Sequence, residues 1–319
     1  MFAITATAGD PQDPLAGLAF GDHPEPDPPD GWEVVEVRAA GLNHHDIWTL
    51  RGVGIAPDRF PIVLGCDAAG VTADGREVVV HTVIGDPDEA DETMGNRSIL
   101  SEVYDGTFAE RVAVPARNLV DKPASLSFEE AGSLSTAWLT AYRMLFTRGE
   151  LRPGQRVLIQ GAGGGVATAA ILLARAAGLH VSVTSRSEEK LERALQLGAH
   201  VGVVSGERLP GRVDAVMETV GEATWSHSLK SLESGGVIVV AGGTSGLNPP
   251  ADLARVFFKQ LRVVGSTMGT RHELQRLLRM LDATGVRPVI DDVLPMSEGR
   301  AGFERMLDGD LFGKVVLTN

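Results

Sequence analysis

The stretch "VLIQGAGGGVATAAILLARAAG", residues 157–178, decides how the rest of the chain is read. A short apolar run gives way to a glycine-rich turn, and the turn opens an Ala- and Leu-rich segment that stops at Gly178. The pattern is strand, turn, helix. A turn without Cβ atoms lets backbone approach a pyrophosphate, and the helix that follows aims its free N–H groups at the anion. Gly163, Gly164 and Gly165, with Val166 entering the helix, are the candidate contacts; Ala167 stands where a third glycine commonly packs helix on strand. A tight structural turn is the plain alternative, but this setting favours a dinucleotide.

Outward from the turn the order stays regular. "HVSVTS" reads as a strand and "SEEKLERALQLG" as a helix capped by Ser187 and ended at Gly198, while "VDAVMET", "GVIVVAG" and "LRVVGSTMG" read as further strands. Strands alternating with helices mean βαβ units and a parallel sheet. Upstream, "WEVVEVRAA", "GREVVVHTV" and "TFAERVAVP" read as short strands, with "IGDPDEADETMGNRSILSE" an exposed acidic loop between the last two. "SLSFEEAG" carries a capping box, Ser127 with Glu130. "RHELQRLLRM" has the spacing of an amphipathic helix, and the final "RPVIDDVLPMSEGRAGFERMLDGDLFGKVVLTN" returns to short strands around one helix. The expected organisation is an α/β chain: a β-rich domain over 1–123, a nucleotide-binding doubly wound domain over 124–267, and a return segment over 268–319 that completes the first. A chain of 319 residues suits two domains.

The strand end "VTSRSEEK" bears on the choice of cofactor. A carboxylate there would bond both ribose hydroxyls of NADH; instead Ser185 ends the strand, with Arg186 and Lys190 close enough to meet a 2′-phosphate. NADPH is therefore the expected cofactor, against the plainer reading of a solvated helix start.

Composition limits the rest. With 42 acidic and 29 basic residues the net charge is −13, and no basic run offsets it, so nucleic-acid binding is not expected. One cysteine, Cys66, excludes disulfides within the chain and a thiolate zinc knuckle. The longest apolar candidate, "VATAAILLARAAGLHVSVT", carries Arg175 mid-run, and the first residues lack a basic, apolar leader, so a cytoplasmic protein without membrane contact is expected. "GLNHHDIW" (residues 41–48) and "FPIVLGCDAAG" raise the question of a metal. Zinc needs ligands that converge, whereas the adjacent His44 and His45 diverge on any regular backbone. No bound metal is expected.

Several motifs in this order resemble the medium-chain dehydrogenase/reductase superfamily: "GLNHHDIW", "FPIVLGCDAAG", "GTFAERVAVPARNLVDKPASLSFEEAG", "LTAYRML", "LRPGQRVLIQGAGGGVATAA", "SEEKLERALQLGA" and "FGKVVL". The resemblance spans nearly the whole chain and is closest to the quinone-oxidoreductase branch and to proteins called zinc-type alcohol dehydrogenases. It implies a GroES-like catalytic domain, a Rossmann domain, an active site in the cleft between them, and in many members a homodimer joined through Rossmann edge strands. It also places Asn43, Cys66 and Thr136 at the three positions that hold catalytic zinc in the alcohol dehydrogenases, with Asp67 at a neighbouring Glu, and "DPDEADETMGN" at a structural zinc lobe whose cysteines it lacks.

By the same resemblance Asn43 and Asp46 form the floor of the active site, and His45 falls where a proton relay stands. His44 would lie near the cofactor phosphates, and Thr140 and the turn with Gly242, Gly243 and Thr244 near the nicotinamide. Lys314 would neutralise the pyrophosphate. Asp46 could equally serve as a helix cap. Without a Lewis acid, hydride is expected to pass from NADPH to an electron-poor small molecule, a quinone or an α,β-unsaturated carbonyl. The alternatives are a zinc alcohol dehydrogenase with unusual ligands and a cofactor-binding protein without turnover. Phe257, Phe258, Trp48, Trp138 and Tyr142 are candidates for a substrate pocket, although large aromatics are usually core.

Overall fold

The structure is a computed structural model that describes residues 1–85 and 97–319. It is a mixed α/β chain of two compact units, Met1–Ala137 with Gly269–Asn319, and Trp138–Met268.

The first unit is built on the strand Trp32–Gly41, whose alternating burial is what "WEVVEVRAA" implies for a half-buried strand. It pairs antiparallel with Ala69–Thr72, Arg111–Pro115 and the C-terminal strand Lys314–Thr318, so the end of the chain lies beside the beginning. Glu77–Val80, Leu119–Asp121 and Ile290–Pro295 extend this sheet, and Phe2–Ala6 joins Leu18–Asp22 and Ile62–Val63 in a smaller one. Val35, Val37, Val78, Phe108, Phe303 and Leu317 belong to one core cluster, in which the Phe108 and Phe303 rings meet edge to face at 6.1 Å. The apolar stripe of "RHELQRLLRM" is real: Leu274, Leu277, Leu278 and Leu281 are the buried face of the helix Arg271–Thr284.

The division between units falls after Ala137, whereas the sequence suggests a division after residue 123. The capping box at Ser127 and Glu130 does start a helix, Phe128–Ala131. That helix packs on strands of the first unit, and Gly132 O accepts from Gly41 N at 2.8 Å, which ties the segment to them. The acidic stretch at 86–96, where the loop and the lost zinc lobe were expected, lies outside the described residues.

The second unit is a six-stranded parallel sheet, labelled here β1 (Arg156–Ile159), β2 (His180–Ser185), β3 (Val201–Val204), β4 (Val213–Glu218), β5 (Leu232–Val240) and β6 (Arg262–Gly265). Their spatial order is β3-β2-β1-β4-β5-β6, the doubly wound Rossmann arrangement. Helices α1 (Gly165–Ala176), α2 (Glu188–Gln196) and α3 (Glu222–Ser231) cover it. The order reverses beside β1, and the glycine turn leaves the carboxyl end of that strand, where such sheets bind ligands. Residues 205–212, which cross from β3 to β4, contain no helix; Leu209 instead plugs into the core of Leu158, Val213, Leu229 and Ile238.

Candidate active site

In the first unit the site is a buried polar floor beneath the helix His44–Leu50. Asn43 is its N-cap, and Asp46 is the third residue of its first turn. Asp46 is fully buried, and its two oxygens accept from Asn43 N at 2.8 Å and Gly65 N at 3.0 Å. Burial raises its pKa to about 7, against the opposing pull of those bonds and of Lys314. The amide of Asn43 donates to Gly41 O at 3.0 Å and to Asp67 Oδ2 at 2.9 Å. Both side chains expected to act on substrate are thus engaged in building the floor.

The Lys314 ammonium holds this floor together. It is 3% exposed and donates to Leu42 O and Asn43 Oδ1, both at 2.6 Å, and to the fully buried Asp67 Oδ2 at 3.0 Å. An ammonium has three donors, and all three are used here. The assignment of Lys314 to a pyrophosphate is corrected accordingly: its contacts are the residues at the positions the resemblance gives to zinc chemistry. Asp67 Oδ1 remains buried without a hydrogen-bond partner.

His44 and His45 do diverge. His44 is exposed, while the His45 side chain is 17% exposed and turned inward. Its Nε2 makes no hydrogen bond and stands 3.9 Å from Glu102 Oε1, beyond bonding distance. Burial lowers the His45 pKa and the Glu102 charge partly restores it. Glu102, which the sequence reading missed, is fixed by Ile99 N at 3.0 Å and Ser98 Oγ at 3.4 Å through its other oxygen. Cys66 is fully buried; its thiol donates to Leu100 O at 3.2 Å, and burial pushes its pKa well up. The Thr136 hydroxyl is buried without a partner. Among the described residues no group of three or more His, Cys, Asp or Glu is placed to hold a metal ion.

In the second unit the glycine turn has the conformation that only glycine tolerates readily, with φ of +78° at Gly161 and +109° at Gly163. Gly164 caps α1, and a Cβ built on it would meet nothing within 4 Å, so the helix N-terminus is open to a ligand. Gly165 and Val166 form the first turn of α1. Ser185 is buried at the end of β2, and its hydroxyl accepts from Ser187 N at 3.1 Å; Arg186 beside it is exposed and Lys190 half-buried. Gly242, Gly243 and Thr244 follow the carboxyl end of β5. At Gly243 a Cβ would come within 2.9 Å of the backbone oxygen of Gly246, a contact closer than a Cβ tolerates. Thr140 is buried on the helix Leu139–Tyr142.

A buried network unseen in the sequence fixes these strand ends. Glu218 accepts from Val220 N, Gly221 N, Thr224 Oγ1 and Ser228 Oγ, the last at 2.6 Å. Ser228 Oγ accepts from Gln160 Nε2 at 2.9 Å, and Gln160 Oε1 accepts from Thr184 Oγ1 at 2.6 Å. Of the aromatic candidates, Trp138 is fully buried core, whereas Phe257 and Phe258 are 62% and 79% exposed, so they are not interior packing.

Residues 29–124 match the alcohol dehydrogenase GroES-like domain and residues 165–283 the zinc-binding dehydrogenase family. A zinc-type alcohol dehydrogenase-like protein of Schizosaccharomyces pombe is 30% identical over 315 residues, covering 90% of each chain. The acryloyl-coenzyme A reductase of Metallosphaera sedula is 30% identical, covering 92% of this chain and 94% of its own, and the quinone oxidoreductase of Mus musculus is 28% identical, covering 89% and 88%. Among solved structures, an NAD-dependent alcohol dehydrogenase superposes with a TM-score of 0.92 at 34% identity over 100% of both chains. A crotonyl-CoA carboxylase/reductase in complex with NADP superposes with a TM-score of 0.90 at 25% identity, over 100% of this chain and 94% of the other.

Proposed function

The chain belongs to the medium-chain dehydrogenase/reductase superfamily of oxidoreductases, and from that premise we propose that it is a zinc-independent, NADPH-dependent reductase of quinones or α,β-unsaturated carbonyl compounds. The observation that carries the reading is the Lys314 ammonium bonded to Asn43 and Asp67. Asn43 stands where a thiolate would hold zinc, and its amide is already bound on both ends. Cys66 is held as a thiol that donates to a carbonyl. Amide, thiol and hydroxyl are a poor set for zinc, which takes thiolate, imidazole and carboxylate.

Bound NADPH would supply the hydride. The open helix N-terminus at Gly164 and Gly165 would hold its pyrophosphate, and Ser185 and Arg186 its 2′-phosphate. His45 is the one floor residue with an unsatisfied ring nitrogen, so it is suited to give a hydrogen bond to the oxygen that gains charge as hydride arrives. Asn43, Asp46, Asp67 and Lys314 keep its helix in place. The relatives named as quinone and acyl-coenzyme A reductases favour an acceptor already electron-poor.

The test is NADPH oxidation by the purified protein across quinones, enals and enones, with zinc measured on the same sample. Turnover with far less than one zinc per chain is expected; no turnover with any acceptor, or stoichiometric zinc that resists chelation, refutes the reading. NADPH should bind more tightly than NADH, and Arg186→Ala should narrow the gap by roughly tenfold, the worth of one charge-assisted bond. Equal affinities in the parent would sink the NADPH assignment. We further propose a homodimer through β6, an edge strand flanked by exposed Leu247, Leu253, Phe257 and Phe258. Sedimentation should give a dimer that Phe257→Asp with Phe258→Asp converts to monomer; a monomeric parent at micromolar concentration contradicts it.

A further inference from the structure

In the second unit a cavity of about 360 Å³ lies between the helix-free crossover from β3 to β4 and the carboxyl end of α3. It is far along the sheet from the glycine turn: residues at its rim lead into the amino ends of β4 and β5, while the turn leaves the carboxyl end of β1. Four of its lining residues are cations, Arg208, Arg212, Lys230 and Arg255, and none is acidic. In a chain with 42 acidic residues against 29 basic ones, such a cluster runs against the composition.

Two features make it a built site. The crossover is pinned down: Leu209 is buried in the core, and His227 Nε2 donates to Glu207 O at 2.8 Å. The other ring nitrogen, Nδ1, accepts from Gln160 Nε2 at 2.9 Å, so the His227 tautomer is settled and the cavity wall is tied to the end of β1. The cations, in contrast, are short of counter-charge, Asp252 being the carboxylate that both Arg255 and Lys230 act on. Arg255 bonds Asp252 at 2.9 Å, but among the described residues Arg208, Arg212 and Lys230 make no ion pair. Lys259 feels the same cations: burial chiefly, then Arg212 and Arg255, lower its pKa, against a smaller opposing effect of Glu233. One cation in the last turn of a helix is the ordinary complement of its dipole, which accounts for Lys230. It does not account for two arginines delivered by a separate segment.

We propose that this cavity binds a phosphate-bearing small molecule, with Arg208 and Arg212 gripping its phosphate groups and Lys230 supplying further charge. Guanidinium forks match phosphate oxygens in pairs, and the volume falls within the range of small-molecule sites. The site is separate from the proposed NADPH site and does not depend on the reductase reading.

The test uses the full chain saturated with NADPH, so that the turn at Gly164 is filled, and titrates it calorimetrically with inorganic pyrophosphate and, separately, with ADP. Saturable binding that weakens with added salt is expected, and Arg208→Ala with Arg212→Ala should weaken it at least about tenfold, as two charge-assisted contacts are lost. Both arginines are exposed, so the double variant should fold, which its unfolding midpoint verifies. ADP binding more tightly than pyrophosphate would mark the occupant as a nucleotide, equal affinities as a free diphosphate. No saturable binding at low salt, or the same affinity in parent and double variant, overturns the proposal.

Discussion

Replacing Lys314 with Met keeps the aliphatic stem and removes the ammonium, and the structure sets the size of the result. The substitution strips partners from Leu42 O and Asn43 Oδ1 and leaves Asp67, which has no exposed surface, as a buried carboxylate with one bond, from Asn43. Breaking a buried pair by removing one partner costs about 3–5 kcal/mol. Urea unfolding of parent and variant at pH 7 measures this. Adding Asp67→Asn to Lys314→Met should restore most of the charge-dependent loss, since no buried ion remains. A variant within about 1 kcal/mol of the parent at pH 7 would refute the reasoning, because it shows that Asp67 carries no buried charge for Lys314 to balance.

The other predictions concern buried groups of the same floor. Cys66, the chain's single cysteine, is buried with its pKa pushed up, so the native protein should react with Ellman's reagent slowly, and one equivalent should appear on unfolding; fast native labelling would contradict a buried thiol. Asp46, raised by burial from 3.8 to about 7, contributes stability that is present at low pH and lost as pH rises through that window, on the order of 4 kcal/mol in all. Asp46→Asn should therefore flatten the stability–pH curve between pH 4 and 7; parallel curves for parent and variant would exclude the raised pKa.

What was legible in the sequence is what local spacing determines. The glycine turn, α1, the Ser187 cap of α2 and the capping box at Ser127 each depend on residues within a few positions of one another. Thr270 with Glu273 carries the same capping signal at the start of Arg271–Thr284, and "TRHE" could have been read that way. The unit division falls after Ala137 rather than after residue 123 because the helix Phe128–Ala131 packs on Trp32–Gly41 and Ala69–Thr72, and also on Ile290–Pro295 and Lys314–Thr318, far from it in the chain. The floor role of Lys314 was not legible because its partners lie 247 to 272 residues away. Glu218 and Glu102 were invisible because a polar residue at a strand end or in a loop has no pattern that announces burial against distant donors.

On the proposed zinc-independent reading, the floor also accounts for the histidine pair without a metal. Several polar groups that could converge on an ion are already matched: Asn43 with Lys314 and Asp67, Asp46 with two backbone amides, Cys66 with a carbonyl. These hydrogen bonds would have to be broken before zinc could bind, whereas one ammonium supplies a single positive charge at three hydrogen bonds without leaving an open coordination position. The polar atoms this floor leaves without a partner are His45 Nε2, Asp67 Oδ1 and the Thr136 hydroxyl, and on the proposed reading His45 is the one placed to give a hydrogen bond to a hydride acceptor that is already electron-poor.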